Sequence, residues 1–215
     1  MIPKDYYKIL DVKPTAEAGA IKRNYRKLAM RYHPDKNPGD ALAAEVFSDI
    51  AEAYGVLSDP LQRRAYNEQR FNIFDAGRYY TPVITQTSIT ADINKLQQAI
   101  DTIDPYRLNR DALYVSICRI VSDEVIDFLK QEQDKTFNRL FIERMLQCAK
   151  LLTLQYIDKL NPTLFDIAGD DETARSSISA FIQTARRSNT WQRYKAVVVI
   201  VIALLLSLLV FLLGR

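Results

Sequence analysis

Apolar residues recur at Ile21, Tyr25, Leu28 and Tyr32, spaced by four, three and four positions. That is one face of an α-helix, so Ala18 to Tyr32 is predicted to be helical. Thr15 is the expected N-cap, and Glu17 is favourable in the first turn. A second stripe, Val46, Phe47, Ile50, Tyr54 and Leu57, predicts a helix from Ala41 to Leu57 with Asp40 as its cap. Ser58-Asp59-Pro60 stops that helix and starts a short one, with Asp59 as cap and Pro60 in the first turn. Upstream, Lys4 to Leu10 is a short segment with Tyr6, Tyr7, Ile9 and Leu10 as its apolar members, followed by a turn around Pro14. Two antiparallel amphipathic helices with short helical flanks can bury one small core. Roughly 65 residues is close to the lower limit for doing so without disulfides or metal.

The pattern then lapses. Residues 71–89 have no clear period and carry Gly77, Pro82 and many threonines, so they read as a linker. Ser88 or Thr90 opens a second helical region over 90–168. Ile93, Leu96, Ile100 and Ile103 form its first stripe, ended by Asp104-Pro105. Leu113, Ile117, Ile120, Val121, Val125 and Phe128 form the second. Phe137, Leu140, Phe141, Met145, Cys148, Leu152 and Tyr156 form the third, followed by Asn161-Pro162. Such faces need cover, since helix stability comes mostly from packing the apolar side. They pack on each other, on another protein, or on a second copy, which makes 90–160 a candidate surface for homo-oligomers. Residues 169–195 are predicted to form a further helix that leads into the C-terminal run.

That run changes the picture. Ala196 to Leu213 is uncharged, with Ser207 as its only polar member. At 1.5 Å per residue it spans about 27 Å, just enough for a hydrocarbon core. Trp191 and Tyr194 stand where an interfacial aromatic belt belongs. Arg186, Arg187, Arg193 and Lys195 precede the run and only Arg215 follows it. The positive-inside rule then keeps the N-terminal part in the cytoplasm. The expected fold class is all-α, with an N-terminal helical unit over 1–70, a second helical region and a single transmembrane helix over 196–213. The expected attachment is a C-terminal, single-pass anchor in a lipid bilayer. Met1 to Leu10 is charged and has no apolar core, so no signal peptide is expected at that end.

Composition excludes more than it identifies. Of the 215 residues 26% are charged and 48% hydrophobic, which argues against a disordered chain. A net charge of +3 is too small to suggest nucleic-acid binding. Two cysteines without short spacing and one histidine cannot supply a zinc site, so no metal or cofactor is expected. The same single histidine, with no nucleophile motif and no glycine-rich phosphate loop, argues against an enzyme.

The distribution of charge is more informative than its sum. Lys22, Arg23, Arg26, Lys27 and Arg31 occupy the polar face of the first long helix, and no acidic residue lies between Ala18 and Tyr32. A one-sign face of this kind suits docking on an acidic surface. The helix runs into His33-Pro34-Asp35, the start of the loop Pro34-Asp35-Lys36-Asn37-Pro38-Gly39-Asp40. Pro34 fixes its own φ and pushes His33 toward an extended conformation. The result is a stiff tip, from which Asp35 can pair with an arginine on another protein.

These residues resemble the J domain of DnaJ-type co-chaperones over roughly Lys4 to Asn67. Asp5-Tyr6-Tyr7-Lys8-Ile9-Leu10 is similar to the family's opening helix. Tyr25-Arg26-Lys27-Leu28-Ala29 and Tyr32-His33-Pro34-Asp35-Lys36-Asn37-Pro38 are similar to its second helix and signature loop. Ala53-Tyr54, Val56-Leu57-Ser58-Asp59-Pro60 and Arg63-Arg64-Ala65-Tyr66 are similar to its third and fourth helices. Asp11 departs from the pattern, standing where the family commonly has glycine. The resemblance implies contact with the ATPase domain and interdomain linker of a DnaK-type chaperone. By position, that contact falls on Lys22, Tyr25, Arg26, Lys27, His33, Pro34, Asp35, Lys36 and Asn37, with Phe47 and Arg63 supporting the loop or extending the contact. Neither a Gly/Phe-rich segment nor Cys-x-x-Cys-x-Gly-x-Gly repeats follow, which resembles the family's heterogeneous third class. The function expected is a membrane-anchored co-chaperone for an unidentified client. The alternative is a membrane assembly protein that uses a J-like module only for protein contact.

Overall fold

The computed structural model describes residues 4–70 and 84–213, without the side chains of 191–193, 195–198 and 201–213. The linker reading of 71–89 therefore falls largely outside the described residues. Among those described there is no strand. Contacts divide the chain into two compact units, 1–137 and 138–215.

The first unit opens with α1 (Tyr6–Ile9), whose start is fixed by Asp5 accepting from the backbone of Tyr7 and Lys8. Asp11 then takes φ 52°, the left-handed region. Aspartate tolerates this region better than most residues, which explains how it can stand where the resembled family has glycine. Asn24 ties the same turn to the next helix by donating to the carbonyls of Leu10 (3.1 Å) and Asp11 (2.8 Å). Helix α2 (Ala18–Tyr32) is capped by Glu17, without a side-chain bond, and not by Thr15. A separate turn, closed by the Ala16 amide on the Lys13 carbonyl (2.9 Å), keeps Thr15 away from the helix start.

Helix α3 (Ala41–Ser58) does begin on Asp40, whose Oδ1 accepts from the Ala43 amide at 2.9 Å. Tyr25 stacks on Tyr54 with ring centroids 3.9 Å apart, and His33 meets Phe47 edge-on at 5.6 Å. These two pairs define α2 and α3 as antiparallel. Ile21, Leu42, Val46, Ile50, Ala53 and Leu57 are buried in this hairpin. Each large aliphatic side chain contributes about 1.5–3 kcal/mol by leaving water. Phe47 and Tyr54 stay half-buried because their rings are spent on those pairs.

Helix α4 (Pro60–Arg70) is capped by Asp59 and returns to α1. Tyr66 accepts from the Tyr6 amide (2.9 Å) and donates to the Lys4 carbonyl (3.2 Å). Burial pushes the Tyr66 and Tyr6 hydroxyls up to about 12, so both are protonated donors. Arg70 pairs with the nearly buried Asp5 at 3.1 Å.

Helices α5 (Gln86–Thr102), α6 (Arg110–Ile120) and α7 (Asp123–Glu132) complete the unit. The start of α5 is earlier than Ser88 or Thr90, because Thr85 and Ser88 form a reciprocal capping box. The second predicted stripe is two helices. Val121 ends α6, and Ser122-Asp123-Glu124 supplies an extended N-cap and an acidic first turn for α7. The sequence pattern places α5–α7 in a separate 90–168 region. They belong instead to the compact unit of the hairpin, where Lys95 and Arg119 meet Glu45 of α3 at 3.4 and 3.5 Å. Arg119 also pairs with Asp49, whose side chain is 9% exposed and which takes Lys4 at 2.8 Å.

The second unit holds most of α8 (Lys135–Ala149) with α9 (Leu154–Ala168) and α10 (Glu172–Leu213). The third predicted stripe also divides, since α8 ends at Ala149. Leu140 is exposed, unlike the rest of its face. Pro162 does not stop a helix but lies inside α9. It forgoes one backbone bond there, while the buried Ile157, Leu160, Leu164 and Ile167 hold the helix on both sides of it. Gly169 (φ 50°) ends α9, and Asp171 caps α10. The Arg139 guanidinium reaches that carboxylate at 2.9–3.2 Å and, with the Ala174 amide, holds its pKa below the usual aspartate range. Among the described residues no helix is long and apolar enough to cross a membrane. The predicted span, 196–213, lies in α10, and of its side chains only Val199 and Ile200 are described.

Candidate functional site

The tip between α2 and α3 is built by its own backbone. His33 ends α2 at φ −58°, ψ 137°, the extended conformation that a following proline demands. The amides of Lys36 and Asn37 then fold back onto the His33 carbonyl at 3.0 and 3.1 Å. Asn37 closes the helix end by donating from Nδ2 to the carbonyls of Arg31 and His33, both at 3.0 Å. Gly39 takes φ 77°, which lets the chain swing into the Asp40 cap.

His33 and Asp35 are presented outward by this frame. The Asp35 amide donates to His33 Nδ1 at 3.2 Å, which leaves Nε2 as the protonated nitrogen of the neutral ring. The Asp35 carboxylate sits 3.5 Å from the same Nδ1, and its side chain is 89% exposed. A carboxylate this exposed is free to pair with a cation outside the chain. Phe47 meets the His33 ring edge-on from α3, with centroids 5.6 Å apart.

The tip opens onto a groove of about 460 Å³ lined by Tyr25, Arg26, Ala29, Met30, His33, Asp35 and Lys36. Lys22 and Lys27 lie exposed on the same helix. Tyr25 is only half available, because one ring face is stacked on Tyr54. Met30 is 62% exposed and lines the groove with an apolar, adaptable side chain. The helical pattern puts it among the cations, off the apolar stripe, so nothing in the periodicity singles it out.

Arg63 is engaged away from the tip, on α1 and the turn before α2. Its guanidinium donates to the carbonyls of Pro14 (3.1 Å) and Ala16 (2.7 Å) and to the Tyr7 hydroxyl (3.0 Å), and stacks on the Tyr7 ring. It clamps α4 to the turn before α2. The cationic face is also less uniform in the fold than in the sequence. Arg31 is bonded to Asp111 through Nε at 2.6 Å. Asn109 and Asp111 touch the tip region from 72 and 80 residues away, beyond the reach of any local signal.

The comparison with known families agrees with the resemblance carried by these four helices and the exposed His-Pro-Asp tip. Residues 5–67 match the DnaJ domain. Over 67 residues the chain is 57% identical to the chaperone protein DnaJ of Acidithiobacillus ferrooxidans, covering 31% of this chain and 18% of that protein. A DnaJ-like protein of Synechocystis is 58% identical over 65 residues, 30% of this chain and 20% of the relative. Chaperone protein DnaJ of Chlamydia pneumoniae is 59% identical over 63 residues, 29% and 16% respectively. The chain thus spans about a fifth of the length of the curated relatives it matches.

Proposed function

We propose that this chain is a co-chaperone that recruits a DnaK-type ATPase and stimulates its ATP hydrolysis through the His33-Pro34-Asp35 tip. It acts on another protein's active site and has none of its own. The observation that carries the reading is the rigidly built tip with an exposed Asp35 carboxylate beside a basic, partly apolar groove. Arg26, Lys27, Lys22 and Lys36 supply the attraction to an acidic face. Tyr25 and Met30 supply apolar contact, and Asp35 supplies a directional pair. Asp35→Asn keeps the shape and the backbone bond to His33 but removes the charge. In a single-turnover ATPase assay with a DnaK-type chaperone, wild type should accelerate hydrolysis and Asp35→Asn should not, with unchanged circular dichroism. Equal acceleration by both would refute the reading.

We further propose that the protein is held at a bilayer by Ala196–Leu213, with the J domain on the cytoplasmic side. The uncharged run, its length and the cations at 186, 187, 193 and 195 support this. The client remains a substrate of whatever process the membrane location serves, and the anchor brings the chaperone to it.

A further inference from the structure

Three helix caps meet at one residue, Asn109. Asn109 Oδ1 accepts from the amides of Asp111 and Ala112, both at 3.1 Å, and so caps α6. Its Nδ2 donates to Asn37 Oδ1 at 2.7 Å, and its backbone amide donates to Asp40 Oδ2 at 2.6 Å. Asn37 is the residue that closes α2, and Asp40 is the residue that caps α3. One residue therefore holds both ends of the His-Pro-Asp tip. The orientation of the Asn37 amide follows from the network: Nδ2 serves two carbonyls, so Oδ1 is left to accept from Asn109. Two positions on, Asp111 bonds Arg31 in the last turn of α2. The buried Asp49 and the ion pairs of Arg119 and Lys95 anchor α5 and α6 to α3 behind this contact. The bonds from the start of α6 fall on Arg31, Asn37 and Asp40, and His33, Asp35 and Lys36 stay exposed.

We infer that the α5–α6 segment is a positioning element of the J domain, in which Asn109 and Asp111 hold the tip in the conformation that presents His33 and Asp35 to the chaperone. It adds no contact of its own to the partner. It restricts a short loop beforehand, so that less conformational freedom is lost on binding, and binding tightens for that reason. The inference rests on the chaperone reading given above for its consequence, though not for the clamp itself.

The test uses the full chain in detergent. Asn109→Ser keeps an oxygen that can cap α6 and keeps the backbone amide, but lacks the Nδ2 donor. Asn109→Asp also keeps the cap and loses the donor. Amide exchange at Lys36, Asn37 and Asp40 should rise about fivefold in either variant, the scale of one net hydrogen bond, while amides in the middle of α2 and α3 stay unchanged. The concentration of protein giving half-maximal chaperone stimulation should rise about fivefold, with the maximal rate unchanged. Tip exchange equal to wild type overturns the clamp. Faster tip exchange with an unchanged half-maximal concentration overturns the positioning role. A higher maximal rate in the variants also overturns it, because the contact would then be inhibitory. If wild type itself gives no stimulation but tip exchange responds as stated, the chaperone reading fails and the clamp stands.

Discussion

Arg63→Ala separates a structural role from a recognition role, because the sequence resemblance has this residue supporting the loop or extending the chaperone contact, and the fold spends its half-buried guanidinium on the clamp between α4 and the turn before α2. The guanidinium makes three hydrogen bonds. The one to the Pro14 carbonyl is exposed, and water can replace it. The one to the Ala16 carbonyl is partly buried, and its loss leaves an acceptor poorly served. The Tyr7 hydroxyl loses a donor but keeps its own bond to Asn67 Oδ1 at 2.7 Å. Two partly buried, charge-assisted bonds at the low end of their range contribute about 1–1.5 kcal/mol each. The stacking on Tyr7 adds roughly 0.5 kcal/mol at such a site. The sum is about 2.5–3.5 kcal/mol. For a unit near the size of residues 1–137, each kcal/mol moves the melting temperature by about 3–4 °C, so the loss should be roughly 8–14 °C. Thermal denaturation of residues 1–137 followed by circular dichroism measures it. Arg63→Lys should recover less than half, since an ammonium cannot fork to two carbonyls and a hydroxyl. At 15 °C, where the variant is folded, its half-maximal concentration for chaperone stimulation should match wild type. A stable variant with weakened stimulation would refute the assignment and return Arg63 to the contact surface.

Reversing Arg26 and Lys27 to Glu should weaken chaperone binding by tenfold or more, and added salt should weaken the wild-type contact; salt-independent binding that survives reversal would make the basic face only solvated surface. The second unit should lose stability in acid. Asp171 has a pKa lowered by Arg139, so its contribution is complete above the ordinary aspartate value of about 3.9 and is lost as pH falls through the depressed value. Urea denaturation between pH 3 and 7 should show this acid limb in wild type and a shallower one in Asp171→Asn. Deleting residues 196–215 should release a soluble protein that still activates the chaperone. In sealed vesicles, protease on the cytoplasmic face should digest the J domain; protection there would overturn the proposed orientation.

Local chemistry was legible from the residues alone. The α2 and α3 stripes, the Asp40 and Asp59 caps, and the stiffness of His33-Pro34-Asp35 all rest on interactions within four positions, which a period or a short motif records directly. The same logic shows where reading failed close by. Thr15 and Glu17 both suit a helix start, and the choice fell to a turn at Lys13–Ala16 held by Arg63 from α4. The long stripes through Val121 and through Ala149 keep helical spacing across breaks, so the period alone does not mark where α6 and α8 end. Pro162 looked like a stop, since an internal proline costs a backbone bond, and only the packing of α9 decides that the cost is met. The allocation of α5 and α6 was beyond reach. It depends on Asn109 meeting Asn37 and Asp40, and on Arg119 meeting Asp49, across 69 to 72 residues. A lone asparagine before a helix reads as a cap and nothing more. The charge that appears unopposed along α2 is partly answered by Asp111, for the same reason. What the residues determined by themselves was the tip and its basic helix. The tertiary structure alone decided which distant side chains hold that tip still, because such pairings follow from the path of the chain and leave no periodic trace in it.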